Sequence, residues 1–223
     1  MIDTPAPRCR TLIRLAIICF LATAAALIGF DPLRSDRADA QPSPKSLQDS
    51  ASFASIADAN QRSIALFAEA GKVLQHPRCM NCHPATRRPT QAENLHPHVP
   101  PMLAGDGGTG APGLPCSTCH RQENTATLSA GITTVPGAPH WGLAPASMGW
   151  QGRTLGQICE QIKDPGRNGG RSLAQIKSHM AEDHLVGWAW HPGDGREPAP
   201  GTQAQFGGLI DAWIATGANC PSG

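Results

Sequence analysis

Apolar residues return at intervals of three and four in four stretches of the chain, the spacing of one face of an α-helix. The first runs from about Ile56 to Leu74, where Ile64, Phe67, Gly71 and Leu74 recur with alanines between them, and His76 and Pro77 stop it. The other three fall in the last third. Thr154 with Gln157 opens "LGQICEQIKD", Ser172 with Gln175 opens "LAQIKSHMAEDHL", and Thr202 with Gln205 opens "FGGLIDAWIATG". Each pair is a capping box, in which the hydroxyl and the amide side chain satisfy each other's backbone N–H groups. In the last stretch Phe206, Leu209, Ile210, Trp213 and Ile214 form the apolar face and Gly217 marks the end. Alternation of the strand kind is nearly absent. Residues 84–115 are so rich in proline and glycine that they predict a long irregular loop, of the sort that wraps a ligand. The pattern as a whole predicts a mostly α domain of short helices and long Pro/Gly-rich loops.

A continuous apolar run, Leu15 to Phe30, lies near the start, with Arg8, Arg10 and Arg14 before it and "ADA", Ala38 to Ala40, after it. This predicts a signal peptide over residues 1–40, cleaved after Ala40 to leave Gln41 first, and hence export to the periplasm. The rival reading is an uncleaved membrane anchor, since the run approaches bilayer length; membrane contact is expected only in that case. Residues 41–54 are polar and proline-dotted and read as a flexible linker to a single domain over 55–223, a size that 223 residues allow. Residues 1–40 hold five of the 18 Lys and Arg and four of the 17 Asp and Glu, so the remainder has no net charge. No basic field is left to attract nucleic acid.

Two of the eight cysteines, Cys9 and Cys19, belong to the signal segment. Four more form two Cys-x-x-Cys-His phrases: "RCMNCHP" with Cys79, Cys82 and His83, and "PCSTCHR" with Cys116, Cys119 and His120. This is the attachment sequence of c-type haem. The two thiols reach vinyl groups on one macrocycle edge, and the histidine that follows is carried under the ring as the proximal iron ligand. A shared zinc site would use the same atoms, but its pairs are commonly closer together than Cys82 and Cys116. Redox disulfides would call for a βαβ pattern that is missing. Two covalently bound haem c groups are therefore expected. The leftover pair, Cys159 and Cys220, is expected to form a disulfide in an oxidising compartment.

Each iron has a further axial position. "HPHVPPM" lies between the motifs, and its prolines stiffen it, which makes His98, His96 and Met102 distal candidates. Met148, in a loop flanked by proline and tryptophan, and His179, on a predicted helix, are the others. Met180 falls on the face of Ile176 and is expected in the core.

"RCMNCHPATRRPTQAENLHPHVPP" and the long phrases "QIKDPGRNGG" and "GREPAPGTQ" resemble a family of bacterial cytochrome c-type proteins labelled as the haem subunit of isoquinoline 1-oxidoreductase, over roughly Pro77 to Pro221. The resemblance implies a small cytochrome c-type domain wrapped around its haem. It also implies a periplasmic partner, a molybdenum and iron–sulfur hydroxylase whose electrons the cytochrome accepts, with Cys79, Cys82 and His83 as the haem site. The family label usually denotes a single haem, whereas this chain has two complete motifs.

Two functional classes follow. One is a dihaem carrier that moves electrons from a periplasmic dehydrogenase to a downstream acceptor of the respiratory chain, without being the enzyme itself. The other is a small dihaem oxidoreductase or peroxidase acting at one open iron, with loop histidines as acid–base groups.

Overall fold

In the computed structural model, which describes residues 46–128, 131 and 133–223, the first apolar stretch forms helix α1, Ala59–Leu74. The Asp58 carboxylate caps it by accepting from the Gln61 N–H at 2.7 Å, as an acidic N-cap does for an otherwise unpaired donor. One face of α1 is buried through Leu66, Phe67, Ala70, Val73 and Leu74. The short helix α2, Pro77–Met80, follows after a break at His76, with its proline in the first turn, where a missing N–H costs nothing.

The last third contains α3 (Leu155–Lys163), α4 (Leu173–Glu182), α5 (His184–Gly187) and α6 (Gln203–Ala215). Complete capping boxes start α3, α4 and α6 at Thr154, Ser172 and Thr202. Helix α6 is the hub. Trp213 is fully buried against Phe67 of α1 with ring centres 4.8 Å apart, and burial of Phe67 alone contributes about 1.5–3 kcal/mol. Ser63 makes a second tie, donating to the Trp213 carbonyl at 3.2 Å and accepting from the Asn219 N–H at 2.9 Å. On the other side of α6, a Cβ at Gly207 would stand 2.5 Å from the Ala181 Cβ, so α4 and α6 meet at a glycine. Met180 and Ile176 are buried between them. A disulfide joins Cys159 of α3 to Cys220, 61 residues on.

From residue 46 on, the stretch read as a linker packs on these helices. Leu47 is buried, the Gln48 N–H donates to Glu69 Oε1 at 2.8 Å, and Ser50–Phe53 makes a 3₁₀ turn. The signal segment and its cleavage site lie outside the described residues. Among the described residues no helix is long and apolar enough to cross a membrane.

The expected fold class needs correction. The fold is not the mostly α cytochrome c-type domain of short helices and loops, but mixed α and β. Among the described residues, the region between α2 and α3 contains three antiparallel ladders: β1 (Thr90–Gln91) with β2 (His96–Pro97), β3 (Gly110–Ala111) with β4 (Leu114–Pro115), and β5 (Thr125–Ala126) with β6 (Thr134–Val135). Each strand is two residues long, too short to leave an alternating pattern. The β3–β4 turn does carry a local signal: Pro112 precedes Gly113, whose φ of 80° suits the third position of a type II turn.

Replacing Cys159 and Cys220 together by serine should destabilise the domain by about 2–4 kcal/mol, through a larger unfolded-state entropy. At this chain length that lowers Tm by roughly 5–15 °C. Calorimetry on parent and variant measures it, and equal melting temperatures would contradict the bond's structural role.

Candidate functional site

Both Cys-x-x-Cys-His phrases adopt the same single turn. In the first, the Cys79 carbonyl accepts from the N–H groups of Cys82 (3.1 Å) and His83 (3.2 Å). In the second, the Cys116 carbonyl accepts from Cys119 (3.2 Å) and His120 (2.9 Å). A two-residue spacer on one turn puts the paired thiols on one side and swings the histidine beneath them. None of the four cysteines is disulfide-bonded. Burial, reinforced by Cys82 and opposed by Arg78, pushes the Cys79 thiol up to about 12. Burial likewise raises Cys82 to about 11, with Arg78 opposing and Cys116 adding to the rise. The two motifs thus lie within electrostatic reach of each other. Thiols held this high stay protonated at neutral pH, unlike a redox nucleophile.

Each motif histidine is backed in the same way by a single segment, residues 136–150. His83 Nδ1 donates to the Met148 carbonyl at 2.7 Å, and its ring stacks on Trp150 at 3.5 Å. His120 Nδ1 donates to the Pro136 carbonyl at 2.8 Å, and its ring stacks on Trp141 at 4.6 Å. A carbonyl can only accept, so the proton sits on Nδ1 and the Nε2 lone pair is left for a metal. Burial lowers His83 to about 4, against the pull of the Met148 carbonyl and with help from His179. Burial also lowers His120, opposed by the Pro136 carbonyl and assisted by His98 and Arg196. Both therefore stay neutral, as a ligand must. Beside His120 lies a cleft of about 490 Å³ lined by Ser117, Arg121, Gln122, Glu123 and Thr125.

Arg78, next to Cys79, is buried at 3% exposure. It is paired with Glu93, while its Nε has no hydrogen-bond partner. Half-buried Arg196 is depressed by burial and then by Arg78, with Glu93 opposing. Two guanidiniums and one carboxylate leave a positive charge uncompensated beside the motif, which an anionic group would balance. Haem has an apolar ring to cover, two vinyl groups for thiols, an iron for an imidazole nitrogen, and carboxylates. The paired thiols, the imidazoles with a free Nε2 and the two guanidiniums fit the last three of these demands. Among the described residues no three His, Cys, Asp or Glu side chains converge to hold a metal ion by themselves.

The distal candidates end up in different settings. His98 is brought to His120, with ring centres 5.8 Å apart. His179 acts on the charge of His83 and hydrogen-bonds Asp183 Oδ2 through Nδ1 at 3.2 Å. His96 has its Nδ1 on the Pro97 carbonyl at 2.8 Å, and Met102 is half-buried in the loop. Met148 buries its side chain in the core and serves His83 through its carbonyl. Sequence reasoning missed Trp141 and Trp150 as stacking partners and Arg78 as a buried cation. An aromatic or arginine carries no spacing signal of its own.

Gly137, directly after the Pro136 carbonyl, runs so close to the Glu123 and Arg121 carbonyls that a Cβ would collide with both. Its N–H donates to Asn124 Oδ1 at 3.1 Å, and the same oxygen accepts from Trp188 Nε1 at 2.8 Å. Gly137→Ala should displace Pro136, release His120 and destabilise the domain by about 1–3 kcal/mol, the cost of buried groups left unpaired. Denaturant melts, with hydrogen exchange at residues 120–137, measure both effects. Unchanged exchange there would contradict the positioning role given to Pro136.

Comparison with known proteins found no match for this chain among protein-family models, curated proteins or solved structures.

Proposed function

We propose that the chain is a periplasmic c-type cytochrome with two covalently attached haem c groups, passing electrons from a dehydrogenase to a downstream acceptor of the respiratory chain. The observation that carries this reading is the repeated turn, in which paired thiols and a histidine with free Nε2 recur with the same backbone bonds. Cys79 and Cys82 would hold one macrocycle by thioether bonds with His83 as proximal ligand. Cys116, Cys119 and His120 would hold the other. Bound haem supplies a one-electron couple at iron, tuned by axial ligands and burial.

The chain's own residues do the positioning. The Met148 and Pro136 carbonyls fix which imidazole nitrogen faces the iron, Trp150 and Trp141 hold the ring planes, and Arg78 with Arg196 offers a partner for a carboxylate. The motifs are near enough for Cys82 to respond to Cys116, which suits electron exchange between the two groups. The family resemblance supports a molybdenum and iron–sulfur hydroxylase as donor. Export rests on the segment ending at Ala40.

Expressed with a c-type cytochrome maturation system, the parent should contain two covalent haems per chain by pyridine haemochrome, and Cys82→Ala and Cys119→Ala one intact attachment site each. A parent without covalent haem would sink the proposal; one haem, lost only in Cys82→Ala, would reduce it to a single-haem carrier.

A further inference from the structure

His98 lies in the loop between the motifs, 22 residues before His120, and its ring is 5.8 Å from that of His120 at an interplanar angle of 64°. Two metal–imidazole bonds of about 2 Å each, together with the inner halves of two five-membered rings, span roughly 6 Å. The nitrogen assignment agrees. His98 Nδ1 donates to the Pro100 carbonyl at 2.9 Å, just as His120 Nδ1 donates to Pro136. Both rings are left with an Nε2 lone pair, and neither can offer Nδ1 without breaking a bond to its own carbonyl. We infer that His98 is the second protein ligand at the Cys116, Cys119 and His120 site, so that its iron is held between two imidazoles. This rests on the haem reading above.

His98 is built into place. Its N–H donates to the Pro89 carbonyl at 3.0 Å, the neighbouring Val99 N–H donates to Gln91 Oε1 at 3.2 Å, and β2 leads directly into it. Pro97, Pro100 and Pro101 limit the backbone on both sides. His96, two residues earlier, spends its Nδ1 on Pro97 and has no comparable approach to His120 among the ring contacts of the described residues. Large apolar side chains also stand exposed on these segments: Val99 at 65%, Leu103 at 50% and Leu114 at 44%. Val99 follows His98 directly and Leu114 stands two residues before Cys116, so the segments that supply the thiols and the imidazoles also leave apolar surface open, which suits a flat apolar group. With both axial positions taken, the second iron has no vacancy for peroxide or carbon monoxide. That favours the carrier over the small peroxidase, and imidazole in place of methionine keeps the potential on the lower side.

The test uses the haem-loaded protein, with haem content measured alongside spin state by electron paramagnetic resonance. The parent should be low-spin at the second haem and should bind no carbon monoxide there when reduced. His98→Gly should keep both covalent haems, turn one of the two high-spin and open it to carbon monoxide; added imidazole should restore the low-spin signal. His98→Met should stay low-spin with one midpoint potential raised, and His96→Gly should match the parent. A low-spin second haem in His98→Gly without added imidazole, or a high-spin one in His96→Gly, overturns the assignment while the two haems stand. A parent with no haem at the second motif overturns the haem reading of that motif and this assignment with it.

Discussion

Two hydrogen bonds, from His83 Nδ1 to the Met148 carbonyl and from His120 Nδ1 to the Pro136 carbonyl, decide what the motifs can do. A histidine on a turn can rotate and can carry its proton on either nitrogen. An acceptor-only partner removes both freedoms, since it demands the proton on Nδ1 and fixes the ring by that bond. Each carbonyl comes with a tryptophan from the same segment, Trp150 for His83 and Trp141 for His120, so that one face of each imidazole is also covered. A single strip of chain, residues 136–150, therefore prepares both sites at once.

That strip has almost no regular structure and must be held from outside. Gln161 of α3 donates to the Ser147 and Gly149 carbonyls at 3.0 and 3.3 Å. The Ala144 N–H donates to the Cys82 carbonyl at 3.1 Å, and the Trp150 N–H to the His83 carbonyl at 2.9 Å. Gly142 passes close to the Gly108 carbonyl, where a Cβ would stand 2.9 Å away. The strip is thus clamped between the first motif and a helical frame whose rigidity comes from elsewhere: the aromatic contact between α1 and α6, the glycine approach of α4 to α6, and the disulfide on α3. The second motif depends on the same frame through Trp188. Its indole donates to Asn124, it meets the edge of Trp141 at 4.9 Å, and the Arg78 guanidinium lies 6.0 Å from its ring centre. A buried arginine beside one motif is in this way linked by ring contacts to the histidine of the other.

The helices were legible because helix signals are local. A hydroxyl three residues before a glutamine, followed by apolar residues at three and four, identifies Thr154, Ser172 and Thr202 as caps without reference to any other part of the chain. The two Cys-x-x-Cys-His turns were legible for the same reason. The ladders between residues 90 and 135 were not, since two-residue strands are defined by their partners and not by their own pattern. The proline and glycine content of residues 84–115 predicts an irregular loop, although Pro112 with Gly113 is itself a hairpin turn. Met148 illustrates a further limit: apart from the side-chain chemistry that makes it a ligand candidate, its backbone oxygen holds His83 Nδ1, and every residue has such an oxygen.

The amino-acid sequence by itself determined the chemistry available to this protein, namely two sets of paired thiols with adjacent imidazoles, and the helices that start at their own caps. Those properties follow from residue type and short spacing, which need no fold to be stated. Only the tertiary structure decided which carbonyl faces which histidine, which tryptophans stack on them, that His98 approaches His120, and that Arg78 is enclosed with a free donor. Such relations join residues up to 67 positions apart, as His83 and Trp150 are, and they come into existence when the chain closes its loops over a common core.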